Sequence, residues 1–235
     1  MALIQKEAKD YLIVNKPAGL LTHPTEAGES KTLSGLLVKK YPELAQVGED
    51  PNRPGIIHRL DKLASGLLVI PRNQAMFEHL KKQFQERTVD KEYSVLVHGR
   101  VLADENTIDL PLSHSKNTKR IAAVPKIKKG IADDRGRTAL TDFWVEKRWI
   151  NFTLLQVKIH TGRTHQIRVH MLAYNHPVVG DPIYFQKKQK RKWDDELGRL
   201  FLHCNKLGFV DLQGKKRVFK SKLPKKLEDF LKKIK

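Results

Sequence analysis

Along the chain, polar and apolar positions recur with two periods. In "NFTLLQVKIH", residues 151–160, Thr153, Leu155, Val157 and Ile159 fall on one side and alternate with more polar positions, which predicts a half-buried strand. In "NQAMFEHLKKQFQER", residues 73–87, Met76, Leu80 and Phe84 return every fourth position, which predicts an amphipathic helix with its basic residues mostly outward. "DYLIVNKPAG" reads as a short apolar strand stopped by Pro17 and Gly19, and "GLLVIP" as a buried strand. "KEYSVLVHGRV" and "TALTDFWVEKRW" are strand-like, and residues 22–57 are loop-rich with one helix around "TLSGLLVKKY". "TGRTHQIRVHMLAYN" turns at Gly162 and starts a helix for which Thr164 is the expected N-cap. The end, "LPKKLEDFLKKIK", is a short helix with Pro224 near its first position and a stripe of Leu227, Phe230, Leu231 and Ile234. Strands and helices that do not strictly alternate predict an α+β fold with a mixed, mostly antiparallel sheet, rather than a doubly wound one. No repeat or low-complexity linker divides residues 1–235, so a single domain is expected.

Composition narrows the class. Hydrophobic residues make up 40% of the 235, enough for a core, and no stretch approaches the ~20 apolar residues of a membrane span. The N-terminus lacks a long apolar run before a small-residue cleavage site, so a cytoplasmic protein is expected. One cysteine, Cys204, excludes an internal disulfide and a multi-cysteine zinc site. Lysine and arginine number 45 against 26 aspartate and glutamate, a formal +19, and an excess of that size attracts polyanions such as nucleic acid. Two basic runs, "PKIKKG" at 125–130 and "KKQKRKWDDE" at 187–196, read equally well as phosphate contacts or as solvated loops.

Several chemistries are absent. "GESKTL" lacks the first glycine of a phosphate loop, and no H-x-E followed by P-C-x-x-C marks a zinc deaminase. His160, His165 and His170 are spaced by five, which suits neither one helix face nor one strand face, so no metal site is expected there. There remains "HRLDKLASGLLVI", residues 58–70. In an extended segment Arg59 and Asp61 share a face, with His58 and Leu60 opposite. A carboxylate beside an arginine is held ionised, and an ionised carboxylate can attack, or stabilise charge at, the anomeric carbon of a sugar. A structural ion pair has the same spacing, and the residues alone leave both readings open.

The stretch resembles the H-R-L-D-x-x-T-S-G-L-L signature of RluA-type pseudouridine synthases. "DYLIVNKPAGLLTHPT" is similar to that family's opening strand and turn, "FQERTVDKEYSVLVHGR" to its Lys-x-Tyr strand, and "TGRTHQIRVHMLAYNHPVVGDPIY" to its third block. "LFLHCNKLGF" and the "LP" before the last helix are similar to its closing elements. These blocks keep the family's order over nearly the whole chain. The resemblance implies isomerisation of specific uridines in ribosomal or transfer RNA, without metal or organic cofactor, in a basic central cleft. It implies Asp61 as the catalytic carboxylate, Arg168 as its arginine partner, and Tyr93 as the aromatic that packs on the target base. Arg59 would take the space left when the uridine is flipped out of the RNA. Further substrate contacts are expected from His58, Arg163, Thr164 and His165, with Arg163 the better phosphate ligand, and from residues 110–136 and 186–198. Ala64 departs from the family's threonine, and Pro71 stands where a small residue is more usual. The small N-terminal RNA-binding domain of many relatives is not expected here, nor an obligatory protein partner, and a monomer is. Rival readings are a non-catalytic RNA-binding protein and a base-removing glycosylase.

Overall fold

A computed structural model of the chain describes residues 3–25, 28–29, 31–115, 120–125, 127–128, 131–132, 135–186 and 191–234. In chain order they form β1 (Ile4–Glu7), β2 (Tyr11–Lys16), α1 (Leu33–Lys40), β3 (Ser65–Pro71), α2 (Gln74–Gln85), β4 (Asp90–His98), β5 (Glu105–Asp109), β6 (Leu112–His114), β7 (Ile121–Ala123), β8 (Ile127–Lys128), β9 (Ile131–Ala132), β10 (Leu140–Arg148), β11 (Phe152–Ile159), α3 (Gln166–Ala173), α4 (Lys192–Leu197), β12 (Leu202–Val210), β13 (Lys216–Lys220) and α5 (Lys225–Lys233), with a 3-10 turn at Pro42–Gln46. Much of the two basic runs, residues 126, 129–130 and 187–190, lies outside the described residues, as do residues 116–119 and 133–134 of the expected RNA-contacting segments. No helix among the described residues is long and apolar enough to cross a membrane.

The elements gather into two units, Met1–Lys91 with His203–Lys222, and Glu92–Leu202 with Leu223–Lys235. In the first, β1, β2 and β3 run antiparallel in that order, β12 joins β3 in parallel, and β13 pairs antiparallel with β12. All seven residues of β3 are buried, as its unbroken apolar run predicts. At the start of β3 the backbone fits only glycine. Gly66 has φ +123°, and a Cβ there would lie 2.3 Å from the Cys204 carbonyl oxygen. Asn73 caps α2 by accepting from the Met76 N–H at 2.9 Å, and Met76, Phe77 and Leu80 turn inward. The buried position beside them is Gln83, whereas Phe84 is half-buried. The Gln83 amide makes paired 2.8 Å bonds with the N–H and carbonyl of Val210, a polar contact that apolar spacing cannot reveal.

In the second unit, β4, β11, β10 and β5 form an antiparallel sheet in that order. The half-burial expected of β11 holds only for its end: Phe152, Thr153, Leu154 and Leu155 are all buried. The strand lies between β4 and β10, and Phe152 and Leu154 join a core with Leu96, Phe201, Leu227 and Phe230. Helix α5 delivers Leu227, Phe230 and Ile234 to that core, with Leu231 at its margin, so its stripe reads as predicted. Helix α3 corrects the expected cap. Thr164 is exposed, and His165 takes the N-cap place in the left-handed region, φ 54°, without a side-chain bond to the helix N–H groups. Gln166, the first residue of the helix, instead fixes the turn before it: its Oε1 accepts from the Arg163 N–H at 3.1 Å and the Thr161 hydroxyl at 2.7 Å. Its Nε2 donates to the Leu140 carbonyl and the Thr141 hydroxyl, tying the helix start to β10.

Candidate active site

Residues 58–61 are not a strand, yet their side chains alternate as an extended segment requires: Leu60 is buried, Arg59 exposed and Asp61 half-buried. What fixes this loop lies behind it. The fully buried Lys16, at the end of β2, spreads its ammonium over the carbonyls of Leu20 (2.7 Å), Ala64 (2.8 Å), Pro17 (3.0 Å) and Lys62 (3.3 Å). Two of these carbonyls belong to the turn that follows Asp61. Gly19 adds its N–H to the Lys62 carbonyl at 2.7 Å, and the Ala64 N–H closes the turn on the Asp61 carbonyl at 3.1 Å. On the other side of Asp61, the Thr22 hydroxyl donates to the Leu60 carbonyl at 3.0 Å and accepts from its N–H at 3.3 Å. Ser65 is held to His203 Nδ1 at 2.9 Å. The Ala64 methyl is buried, and the turn is braced through its backbone, where a side-chain hydroxyl is not required. Pro71 ends β3 opposite Tyr11, where the sheet tolerates a residue without an N–H.

His58, expected at the substrate, points inward. Its Nε2 accepts from the Val69 N–H at 3.0 Å, and its ring stacks on Phe84 with centroids 4.7 Å apart. Burial, and after it the Lys91 ammonium, push its pKa down to about 3, so it is neutral, as an accepting Nε2 demands. The ring therefore braces the loop against β3. Arg59 reaches from the exposed side to His23, Nη1 to Nε2 3.4 Å.

The other expected residues lie in the second unit. Tyr93 is buried on β4 opposite Val157 of β11. Arg168, on α3, is 2% exposed and forks onto Asp181, Nε to Oδ2 2.6 Å and Nη2 to Oδ1 2.9 Å. Asp181 Oδ1 also accepts the N–H groups of Ile183 and Tyr184 at 2.9 and 3.0 Å, and the Arg168 guanidinium lies 4.9 Å from the centre of the Tyr184 ring. The Tyr184 hydroxyl bonds His165 Nδ1 at 2.9 Å and accepts from the Ile121 N–H at 3.2 Å. Arg163 Nε donates to the Thr138 carbonyl at 3.0 Å. The three evenly spaced histidines go separate ways: His160 to Asp142, His165 to Tyr184, and His170 between Thr141 and the Leu110 carbonyl. Sequence reasoning missed Lys16, His23 and Asp181. An arginine in the apolar helix "QIRVHML" was the available signal for Asp181, because a buried guanidinium requires a carboxylate.

The fold is α+β, with a carboxylate on a braced loop in the first unit and a buried, forked arginine in the second. The family model described as RNA pseudouridylate synthase matches residues 10–173, and the chain belongs to that family. It is 43% identical over 204 residues to an uncharacterized RNA pseudouridine synthase of Aquifex aeolicus, covering 86% of this chain and 61% of that protein. It is 32% identical over 227 residues to ribosomal large subunit pseudouridine synthase D of Zymomonas mobilis, covering 94% of this chain and 69% of that one. Among solved structures, human RNA pseudouridylate synthase domain containing 1 superposes with a TM-score of 0.74 at 26% identity, covering 94% of this chain and 83% of that one. The chain spans about three fifths of the length of the first curated relatives it matches.

Proposed function

We propose that this chain isomerises uridine to pseudouridine in structured RNA, ribosomal or transfer, with residues 1–235 acting as one catalytic domain and Asp61 as the carboxylate that acts on the ribose. The bond from the ribose C1′ to N1 of the base breaks, the base turns, and C1′ is rejoined to C5, which loses its proton to solvent while N1 takes one up. Whether Asp61 bonds to C1′ or takes a sugar proton, it must be charged and held close to the ribose. One observation carries the reading: Asp61 sits on a loop pinned at Leu60, Lys62, Ala64 and Ser65. Such bracing keeps a carboxylate oriented without reorganisation in the transition state. Tyr93 and Arg168 keep the parts the family resemblance gives them, an aromatic face for the base and a guanidinium for the catalytic carboxylate. The formal +19 draws in the RNA backbone.

The test is tritium release from RNA labelled at C5 of uridine, taken from cells lacking this gene. Wild type should release tritium and leave pseudouridine, and Asp61→Asn should do neither. Free uracil with abasic RNA would instead identify a glycosylase. Release by Asp61→Asn at the wild-type rate would remove Asp61 from the chemistry.

A further inference from the structure

We propose that His23 is a positioning residue that holds Arg59 ready to enter the space a flipped uridine leaves. This rests on the activity proposed above and adds a component that the resemblance did not supply. His23 lies three residues past the Lys16-bound Leu20 carbonyl and is 6% exposed, while its partner Arg59 is exposed. A guanidinium only donates, so the 3.4 Å contact from Arg59 Nη1 makes His23 Nε2 an acceptor and places the ring proton on Nδ1. That Nδ1 is buried and has no partner among the described residues. The neighbouring pair fixes the alignment independently of either side chain, because the Thr22 hydroxyl bonds both the N–H and the carbonyl of Leu60. His23 and Arg59 are thus set opposite each other by the backbone beside them.

The choice of histidine suits an arginine that must leave. An aspartate or glutamate would hold Arg59 by a shorter, charge-assisted bond, and would repel the phosphates of an incoming RNA. A neutral imidazole orients the guanidinium and releases it. The charged groups around His23 agree with neutrality. Burial first, then the cations Arg59 and Arg53, hold its pKa at about 4, against an opposing pull from Asp50. When Arg59 moves onto RNA, one of those cations departs and the imidazole becomes easier to protonate.

Two measurements test this, the first without RNA. In a proton NMR titration the His23 ring should have its pKa near 4 in the wild type, and higher by about half a unit or more in Arg59→Ala, whose change lies at an exposed side chain. The second is single-turnover tritium release. His23→Ala should slow it about threefold to tenfold. His23→Gln, whose amide oxygen can accept in place of Nε2, should recover most of the rate, and His23→Ala should cost nothing further in an Arg59→Ala background. Losses that multiply in the double variant, or a His23 titration that ignores Arg59, would overturn the role of His23 alone. A wild type that releases no tritium from any RNA pool overturns the activity, and this role with it.

Discussion

Replacing Lys16 with methionine removes the cation behind the Asp61 loop while keeping much of the side-chain volume. The carbonyls of Leu20 and Ala64 lose donors at 2.7 and 2.8 Å, whereas the Lys62 carbonyl retains the Gly19 N–H. A buried carbonyl left without a donor costs about 1–3 kcal/mol, so the two together cost about 2–6 kcal/mol. Relief from burying an ammonium returns part of this, and a net loss of about 3 kcal/mol is expected. With a urea m-value of about 2 kcal/mol/M, the unfolding midpoint should fall by about 1.5 M with little change in slope. Well below that midpoint, where the variant is folded, tritium release should still fall by about tenfold or more, because the turn after Asp61 is no longer held. Lys16→Arg keeps the charge but overfills a fully buried site, and should lose about 1–3 kcal/mol. The reasoning fails if Lys16→Met unfolds within about 0.5 M urea of the wild type, since the four carbonyls would then not depend on the ammonium.

Other outcomes follow from the same geometry. Gly66→Ala forces a Cβ against the Cys204 backbone and should cost upwards of about 3 kcal/mol in denaturant unfolding; a change below about 1 kcal/mol would mean that β3 and β12 can shift apart freely. Asp181→Asn removes the charge from the carboxylate onto which the buried Arg168 forks and should cost about 3–5 kcal/mol by the same measurement, so near-neutrality would show that Arg168 is held by other groups. Stability should also fall with acid. Burial and neighbouring cations hold His58 and His23 at pKa values of about 3 and about 4, whereas unfolded histidines titrate near 6.5. Below pH ~6.5 the unfolded chain therefore binds protons that the folded chain refuses. Each histidine then contributes a slope of about 1.4 kcal/mol per pH unit near pH 5. Urea midpoints measured from pH 7 to 4.5 should show this slope, with the buried His170 adding in the same direction, and His58→Asn should reduce it. An unchanged slope would mean that His58 protonates without unfolding.

The sequence pattern disclosed those parts of the fold whose side chains separate cleanly into apolar and polar. The unbroken run of β3, the α2 stripe and the α5 stripe were legible for that reason, whereas β1, "IQKE", is an exposed polar edge and left no pattern. β11 misled because Thr153, Leu155, Val157 and Ile159 read as its one apolar face, yet Phe152 and Leu154 on the opposite face are buried as well, in the core with Leu96, Phe201, Leu227 and Phe230. Around the candidate site, spacing left the reading of Arg59 and Asp61 open, and it was the resemblance of the sequence blocks to a family that named the expected residues. Neither named their supports. Lys16, His23 and Asp181 are polar residues whose partners are distant in sequence or belong to the backbone, and a buried ammonium bound to carbonyls looks like any surface lysine until the chain is folded. Thr164 was named as a cap because its residue type suits one, but His165 takes the N-cap place in the left-handed region and no side chain caps the helix.

The pairing of β12 with β3 also bears on how the molecule is made. His203 and Cys204 lie beside Ser65 and Gly66, so the start of β3 acquires its parallel neighbour only after 137 further residues have followed Gly66 to reach His203. During synthesis the loop carrying Asp61 can gain the Lys16 and Thr22 bonds early, but the bond from Ser65 to His203 must wait until residue 203 has left the ribosome. A nascent chain stalled before residue 203 would hold Asp61 on a loop without its last anchor. The order in which the anchors form thus leaves the loop incompletely anchored until residue 203 has emerged.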